Sequence, residues 1–408
     1  MDEHFLRYES ARLVAVLTRR FGFAMLETVE EMVQETLMSA ISAWRHNGAP
    51  DDPAAWLQCA AKNRIIDVVR RERRRQPWED SHGQSLSSES SGDAFLVEPD
   101  EVQDSVLRMI FICCHPSLSR TSQLALTLRL VCGFGQGEIA SALLQSPEAI
   151  KKRITRAKQS LQLNDISLQL PAAELLHERL DAVHDVLYLM FSEGHCASQG
   201  EVQIDIDLCE EAARLCHLLC NSPTQVPATS ALLSLMLFHA ARLESRTDDA
   251  QATILLDEQD RDLWDRDMIR VAEYWLARST TGDDVSRFHL EAGIARLHCN
   301  SPSIDETDWM AILRHYDLLI HLYPSPLYGL SRSVILGRMD RHDEAQTQLA
   351  AVQNDLKRYA LADCVAADLA TRRGDTSAAQ RYLRFALEKN ISPHQRTLIQ
   401  HRLESLHK

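Results

Sequence analysis

From Met25 to Trp44 the apolar residues Leu26, Val29, Val33, Leu37, Ile41 and Trp44 fall three or four positions apart, while Glu27, Glu30, Glu31, Gln34 and Glu35 occupy the other side. That period predicts an amphipathic helix. Gly48 and Pro53 end it, and Asp51-Asp52-Pro53 reads as an N-cap with proline in the first turn of a helix running to about Arg75. Further on, Leu124, Leu128 and Val131 mark a helix that stops at Cys132-Gly133-Phe134-Gly135. A short helix follows to Leu144, then Gln145-Ser146-Pro147 forms a turn with Ser146 as N-cap. Ile150, Ile154, Ala157 and Leu161 then give one inward face to a helix over 147–163. Two short helices across so tight a turn predict a helix-turn-helix.

After residue 165 one helical pattern follows another. Near the end Glu344-Ala345 with Leu349 and Val352 returns as Ala378-Ala379 with Leu383 and Ala386, and Gly374 stands where the first copy has Asp340. The offset is the tetratricopeptide period of about 34 residues. Aromatic residues make up only 6% of the chain and β-branched runs are short, so the expected fold class is all-α. It comprises two small helical units and a large C-terminal tetratricopeptide-like helical domain. The expected divisions are 1–75, a flexible acidic linker over 76–104, a helix-turn-helix unit over 105–164, and 165–408 as a helical regulatory domain.

The net charge of −14 argues against nucleic acid until its distribution is considered. Residues 76–104 hold 8 acidic and no basic groups, residues 105–164 hold 8 basic and 2 acidic, and residues 165–408 hold 24 basic and 37 acidic. Positive charge concentrates at 62–75 and 151–158, which is the electrostatic footprint of DNA binding.

Several functions are not expected. The polar start Met1-Asp2-Glu3-His4 does not read as a signal peptide, and no run of about 18 apolar residues occurs, so a cytoplasmic protein without membrane contact is expected. The ten cysteines are then reduced thiols. Cys113-Cys114-His115 and Cys216-His217 with Cys220 sit in apolar helical sequence, where buried structural thiols are expected rather than metal ligands. No metal and no cofactor is expected. Glu193 and His195, with Asp260 and Arg261, are the nearest approach to an acid/base set. No nucleophile spacing, phosphate loop or metal motif accompanies them, so an enzyme is not expected.

Two helices carry candidate chemistry. On 53–75, Trp56, Ala60, Asn63, Asp67, Arg70 and Arg74 lie along one face, and Arg70, Arg71, Arg73, Arg74 and Arg75 close the helix. Guanidiniums bind phosphates, while Asn and Trp can hydrogen-bond or stack on bases; a solvated basic helix end is the plainer reading of the arginine run alone. On 147–163, Glu148, Ala149, Lys151 and Lys152 occupy the N-terminal turns that reach base edges in a helix-turn-helix, and Arg153, Arg156 and Lys158 are placed for phosphates.

Together these features resemble a known family. Glu31-Met32-Val33-Gln34-Glu35-Thr36, Ala43-Trp44, Pro53 and the series Trp56-Leu57, Ala60, Asn63-Arg64, Asp67 and Arg70-Arg71 resemble region 2 of the extracytoplasmic-function (ECF) sigma factors. Glu138-Ile139-Ala140, Ser146-Pro147 and Arg153-Ile154 with Arg156-Ala157-Lys158 resemble region 4. The stretches from Val186 to His195, from Leu256 to Asp265, Ala292-Gly293-Ile294 and Asp308-Trp309 are similar to the helical extension of one ECF subgroup. The resemblance implies core RNA polymerase as partner, through its β′ clamp helices and β flap, and promoter DNA. It implies polymerase contact at Glu30, Glu31, Gln34 and Glu35. It implies −10 recognition and melting by Trp56, Asn63, Asp67, Arg70, Arg71 and Arg74, and −35 reading by the helix from Pro147. The family's Asp-Ala-Glu-Asp is replaced here by Glu27-Thr28-Val29-Glu30-Glu31-Met32, so the acidity is shifted. A stand-alone regulator with a helix-turn-helix and a tetratricopeptide-like sensor, binding DNA without polymerase, is the alternative. The helix Trp56–Arg71 is the feature such a regulator would lack. The extension could also bind a protein or ligand partner of its own.

Overall fold

The structure is a computed structural model that describes residues 3–75, 99–143, 145–163, 173–196, 204–247, 254–389 and 391–406. Among these residues it contains only helices and their connections, in two compact units, 1–186 and 187–408.

The first unit opens with α1 (Glu3–Phe21), α2 (Leu26–Asn47) and α3 (Pro53–Arg75). Leu13, Val14 and Leu17 of α1 meet Leu26, Val29 and Val33 of α2 and Leu57, Ala61 and Ile65 of α3 in one core. The buried line on α2 continues through Thr36 and Ala40, whereas Leu37, Ile41 and Trp44 are half-buried. Thr36 can lie in the core because its hydroxyl donates to Met32 O at 2.6 Å, leaving only its methyl to pack. The Asp52 carboxylate accepts from Ala55 N at 2.9 Å, the cap expected for α3.

Of the expected linker, residues 76–98 lie outside the described residues. Its last six residues differ from expectation, because α4 (Pro99–Cys113) already begins at Pro99. Proline suits the first helical position, and Asp100 and Glu101 beside it favour a helix N-terminus. α5 (Arg120–Leu130), α6 (Gln136–Ala142) and α7 (Pro147–Leu163) complete a second core around Ile110, Leu126, Phe134, Ile139, Ile150 and Leu161. Gly133, at φ 66°, makes the break after α5, with Phe134 N donating to Leu128 O at 3.0 Å. Cys113 and Cys114 are wholly buried and burial pushes both thiols up, Cys114 to about 12. His115 turns outward, where its Nδ1 accepts from Ser117 N at 3.1 Å.

The unit boundary falls inside α8 (Ala173–His195). The first half of this helix completes the α4–α5 core. Leu176, Leu180 and Val183 are buried, Arg179 donates to Phe111 O at 2.9 Å, and Arg120 Nε donates to Asp185 at 3.1 Å.

In the second unit α10 (Pro227–Ala240) is enclosed by α9 (Ile206–Cys220), α11 (Arg266–Ser279) and α12 (Arg287–Asn300). It is apolar nearly all round, as a helix with neighbours on three sides must be, and its Ser234 hydroxyl is satisfied by Ala272 O at 2.8 Å. Six helices follow in succession: α13 (Trp309–Leu322), α14 (Pro326–Arg338), α15 (His342–Gln353), α16 (Ala360–Arg372), α17 (Thr376–Leu387) and α18 (Pro393–Ser405). The pair α14–α15 is repeated by α16–α17 at an offset of 34 residues at both helix starts. Ala345 and Leu349 occupy the same buried positions as Ala379 and Leu383. Both hairpins turn through a residue of positive φ, Asp340 at 58° and Gly374 at 77°, followed by the same bond at 2.9 Å: Arg341 N to Leu336 O and Asp375 N to Ala370 O.

Candidate functional site

α3 is held by one face and offers the other. Leu57, Ala61 and Ile65 are 0% exposed, so the helix cannot rotate without opening the core. The opposite face carries Trp56, Asn63, Asp67, Arg70 and Arg71, all exposed, in the order expected. Arg74 belongs to the same helix, but its side chain lies outside what is described. Trp56 is 38% exposed and leans edge-on against Trp44, ring centroids 5.4 Å apart. One edge is thereby fixed while part of the ring stays open to a stacking partner.

The acidic face of α2 divides. Glu31, Gln34 and Glu35 are exposed, and Arg64 of α3 donates to Glu35 at 3.1 Å and to Ser39 Oγ at 2.7 Å. Met38, on the same side, is 69% exposed. It borders a cleft of about 400 Å³ whose apolar wall includes Leu6, Val14, Leu37, Ile41 and Leu130, with Glu30 and Gln34 also on the lining. Sequence reasoning missed both the Arg64 tie and this cleft. Leu37 and Ile41 had signalled a stripe wider than the core needs.

α7 stands as its pattern requires, with Ile150, Ile154, Ala157 and Leu161 buried. Its N-cap Ser146 accepts from Ala149 N at 3.3 Å, and the Gly135 N–H donates to Glu138 at 2.5 Å to fix the start of α6. Glu148, Lys151, Lys152 and Arg156 are exposed, and Ala149 is partly so. Two residues expected on phosphates are engaged within the chain: Arg153 Nε donates to Gln145 Oε1 at 3.1 Å, and Lys158 forms an ion pair with Glu30. That pair joins the helix of the expected −35 reader to the helix of the expected polymerase face. Nearby, Arg19 of α1 donates to Ser105 of α4 at 2.8 Å.

Three exposed or bridging surfaces thus lie on two small helical units: a locked helix with a Trp-Asn-Arg face, an acidic helix beside an apolar cleft, and a helix-turn-helix with a basic outer face. Residues 6–75 match the family Sigma-70 region 2, and residues 108–161 match Sigma-70, region 4. The protein is an RNA polymerase sigma factor. As such it associates with core RNA polymerase and with promoter DNA, and acts in transcription initiation.

The ECF RNA polymerase sigma factor SigL of Mycobacterium tuberculosis is 30% identical over 138 residues, which are 33% of this chain and 72% of SigL. The chain belongs to the ECF RNA polymerase sigma factors. An uncharacterized Rhizobium meliloti (strain 1021) protein, R00370, is 35% identical over 338 residues, covering 83% of this chain and 80% of that one, so the similarity extends beyond the two sigma regions. Residues 179–280 match a family of unknown function, DUF6596. No solved structure matches the chain. Among the described residues no helix is long and apolar enough to cross a membrane.

Proposed function

We propose that region 2, residues 1–75, docks on the β′ clamp helices through Glu30, Glu31, Gln34 and Glu35. In this reading it opens the −10 element with Trp56, Asn63, Asp67, Arg70, Arg71 and Arg74. Region 4, residues 105–164, reads the −35 element with Glu148, Ala149, Lys151 and Lys152, holds phosphate with Arg153, Arg156 and Lys158, and meets the β flap. The carrying observation is the α3 face: a half-open tryptophan, an amide and guanidiniums on a helix whose opposite side is locked. Unstacking a base costs a few kcal/mol, and a stacking platform with hydrogen-bonding neighbours offsets it. The chain works in the cytoplasm, without cofactor or metal, and as a binding protein rather than an enzyme. The test is run-off transcription with core polymerase on a promoter panel. Binding of promoter DNA at equal strength with and without core would refute the reading.

The tetratricopeptide-like extension, 165–408, is proposed to control that activity in cis and to offer a partner surface. What supports a built-in role is the seating of α8 in the region 4 core through Arg179 and Arg120. A chain ending before α8 would expose apolar surface on α4 and α5. The informative comparison is therefore residues 1–196 against the full chain at matched concentration. Equal run-off activity from both would exclude cis control.

A further inference from the structure

Within the second unit, guanidiniums and imidazoles from several elements collect at one place. His195 ends α8, His239 lies in the last turn of α10 with Arg242 two residues past its end, Arg246 lies just beyond, and Arg261 and His298 come from the segment before α11 and from α12. Arg246 Nη1 lies 2.7 Å from His195 Nδ1, and Arg242 Nη2 lies 2.9 Å from His239 Nδ1. The rings of His195 and His239 are 4.9 Å apart. Arg242 and Arg261 both lie against Trp264, at 5.7 and 4.6 Å from its ring centroid, and Trp264 is itself fixed by donating to Ser245 Oγ at 2.9 Å.

Among the described residues negative charge is scarce there. Asp257 is taken by Arg338 in an ion pair, and Asp260 and Asp265 turn back to cap the helices that follow them. Glu193, near the end of α8, is buried as well. Burial and the neighbouring guanidiniums push all three imidazoles down, His298 to about 3. Burial lowers the three arginines as well, with a neighbouring guanidinium adding to it at Arg242 and Arg261. Arg242 is 7% exposed. Its Nε, together with Arg261 Nη2 and His298 Nδ1, is buried and has no hydrogen-bond partner among the described residues. Cations drawn out of water that repel one another, with donors left over, lack a matching counter-charge among the described residues. A monocarboxylate offers one charge. A phosphate group offers up to two charges and several acceptor oxygens in the geometry guanidinium forks match.

We propose that this cluster is a binding site for a phosphate group, of free phosphate or of a small phosphorylated metabolite, held by Arg242 and Arg261 beside Trp264 with His298 as a further polar partner. It lies outside both sigma regions and adds a small-molecule input to the chain.

The test titrates the full-length chain with inorganic phosphate and with a phosphomonoester, against chloride and succinate at matched ionic strength. Calorimetry and phosphorus NMR line width are the readouts. Saturable one-site binding is expected for the phosphate compounds and not for chloride or succinate. Arg261→Ala, at a partly exposed position, and Arg242→Lys, which keeps the charge but loses the fork, should each weaken it about tenfold or more. A phosphomonoester that binds about tenfold more tightly than phosphate identifies a metabolite site, and equal affinity identifies a phosphate site. No saturable binding up to about 10 mM in a folded wild-type chain overturns the proposal. So does binding that both variants leave unchanged, or succinate binding as tightly as phosphate.

Discussion

The ion pair between Lys158 and Glu30 should stabilise the packing of region 4 on region 2, and a double-mutant cycle can measure it. The side chains are 15% and 19% exposed, so each charge has lost most of its water. Exposed pairs are worth about 0–1 kcal/mol, and removing one partner of a fully buried pair costs about 3–5 kcal/mol. This pair lies between those limits, so a coupling energy of about 1–2 kcal/mol is expected. The cycle compares the parent with Glu30→Gln, Lys158→Met and the double variant by urea denaturation, since guanidinium chloride would screen the interaction. Each single variant should lose more than its share of the double, because each strands a half-dehydrated charge. Fluorescence energy transfer between labels on α3 and α7 should report a wider separation in the single variants. The same pair links two functions, since a Glu30 engaged by Lys158 is not free for polymerase. Lys158→Met should therefore tighten core binding by up to about tenfold while weakening promoter affinity. A coupling below about 0.3 kcal/mol, with label separation unchanged, would refute the reasoning.

Adjacent residues on α3 should behave oppositely. Leu57→Ala, at a fully buried position, should cost about 2–5 kcal/mol of stability, whereas Trp56→Ala should leave the melting temperature within a few degrees and abolish promoter opening by permanganate footprinting. Gly337→Ala should destabilise the α14–α16 contact by about 1–3 kcal/mol in urea denaturation, because a Cβ there would stand 2.5 Å from Leu369 Cδ2. Stability should also fall in mild acid. His195, His239 and His298 titrate below the ordinary imidazole range when folded, so below about pH 6.5 the unfolded chain binds more protons, at about 1.4 kcal/mol per histidine per pH unit. The melting temperature should drop between about pH 7.5 and about pH 5.5, and His298→Asn should make that drop shallower; a flat profile would exclude the buried neutral imidazoles.

What could be read from the sequence was what a single helix dictates. The buried set of α7 followed from spacing alone, as did the caps Asp52 and Ser146, because a cap and a stripe are local. The α3 face was legible for the same reason. On α2 the pattern misled by one residue. The apolar stripe read from the sequence left out Thr36, yet its hydroxyl is satisfied inside its own helix, so the core line passes through Thr36 and Ala40 and releases Leu37 and Ile41 to the cleft. The start of α4 was obscured by acidic residues that resemble linker composition but also suit a helix N-terminus. The Glu30–Lys158 pair spans 128 positions, and the arginine–histidine cluster gathers residues from 195 to 298. Neither leaves a periodic trace, since each exists only when distant helices meet.

The doubled hairpin of α14–α17 has a consequence for the order in which the second unit comes apart. Stacked hairpins lean mainly on their immediate neighbours, so their stability follows largely from local terms between adjacent helices. α18 rests chiefly on α17, with only Ile399 fully covered. Its amides should exchange with solvent first, followed inward by α17 and α16. α10, surrounded on three sides, should release its protons only when the whole bundle opens. The helices of the second unit thus form a graded series, loosest at α18 and firmest at α10, which three helices enclose.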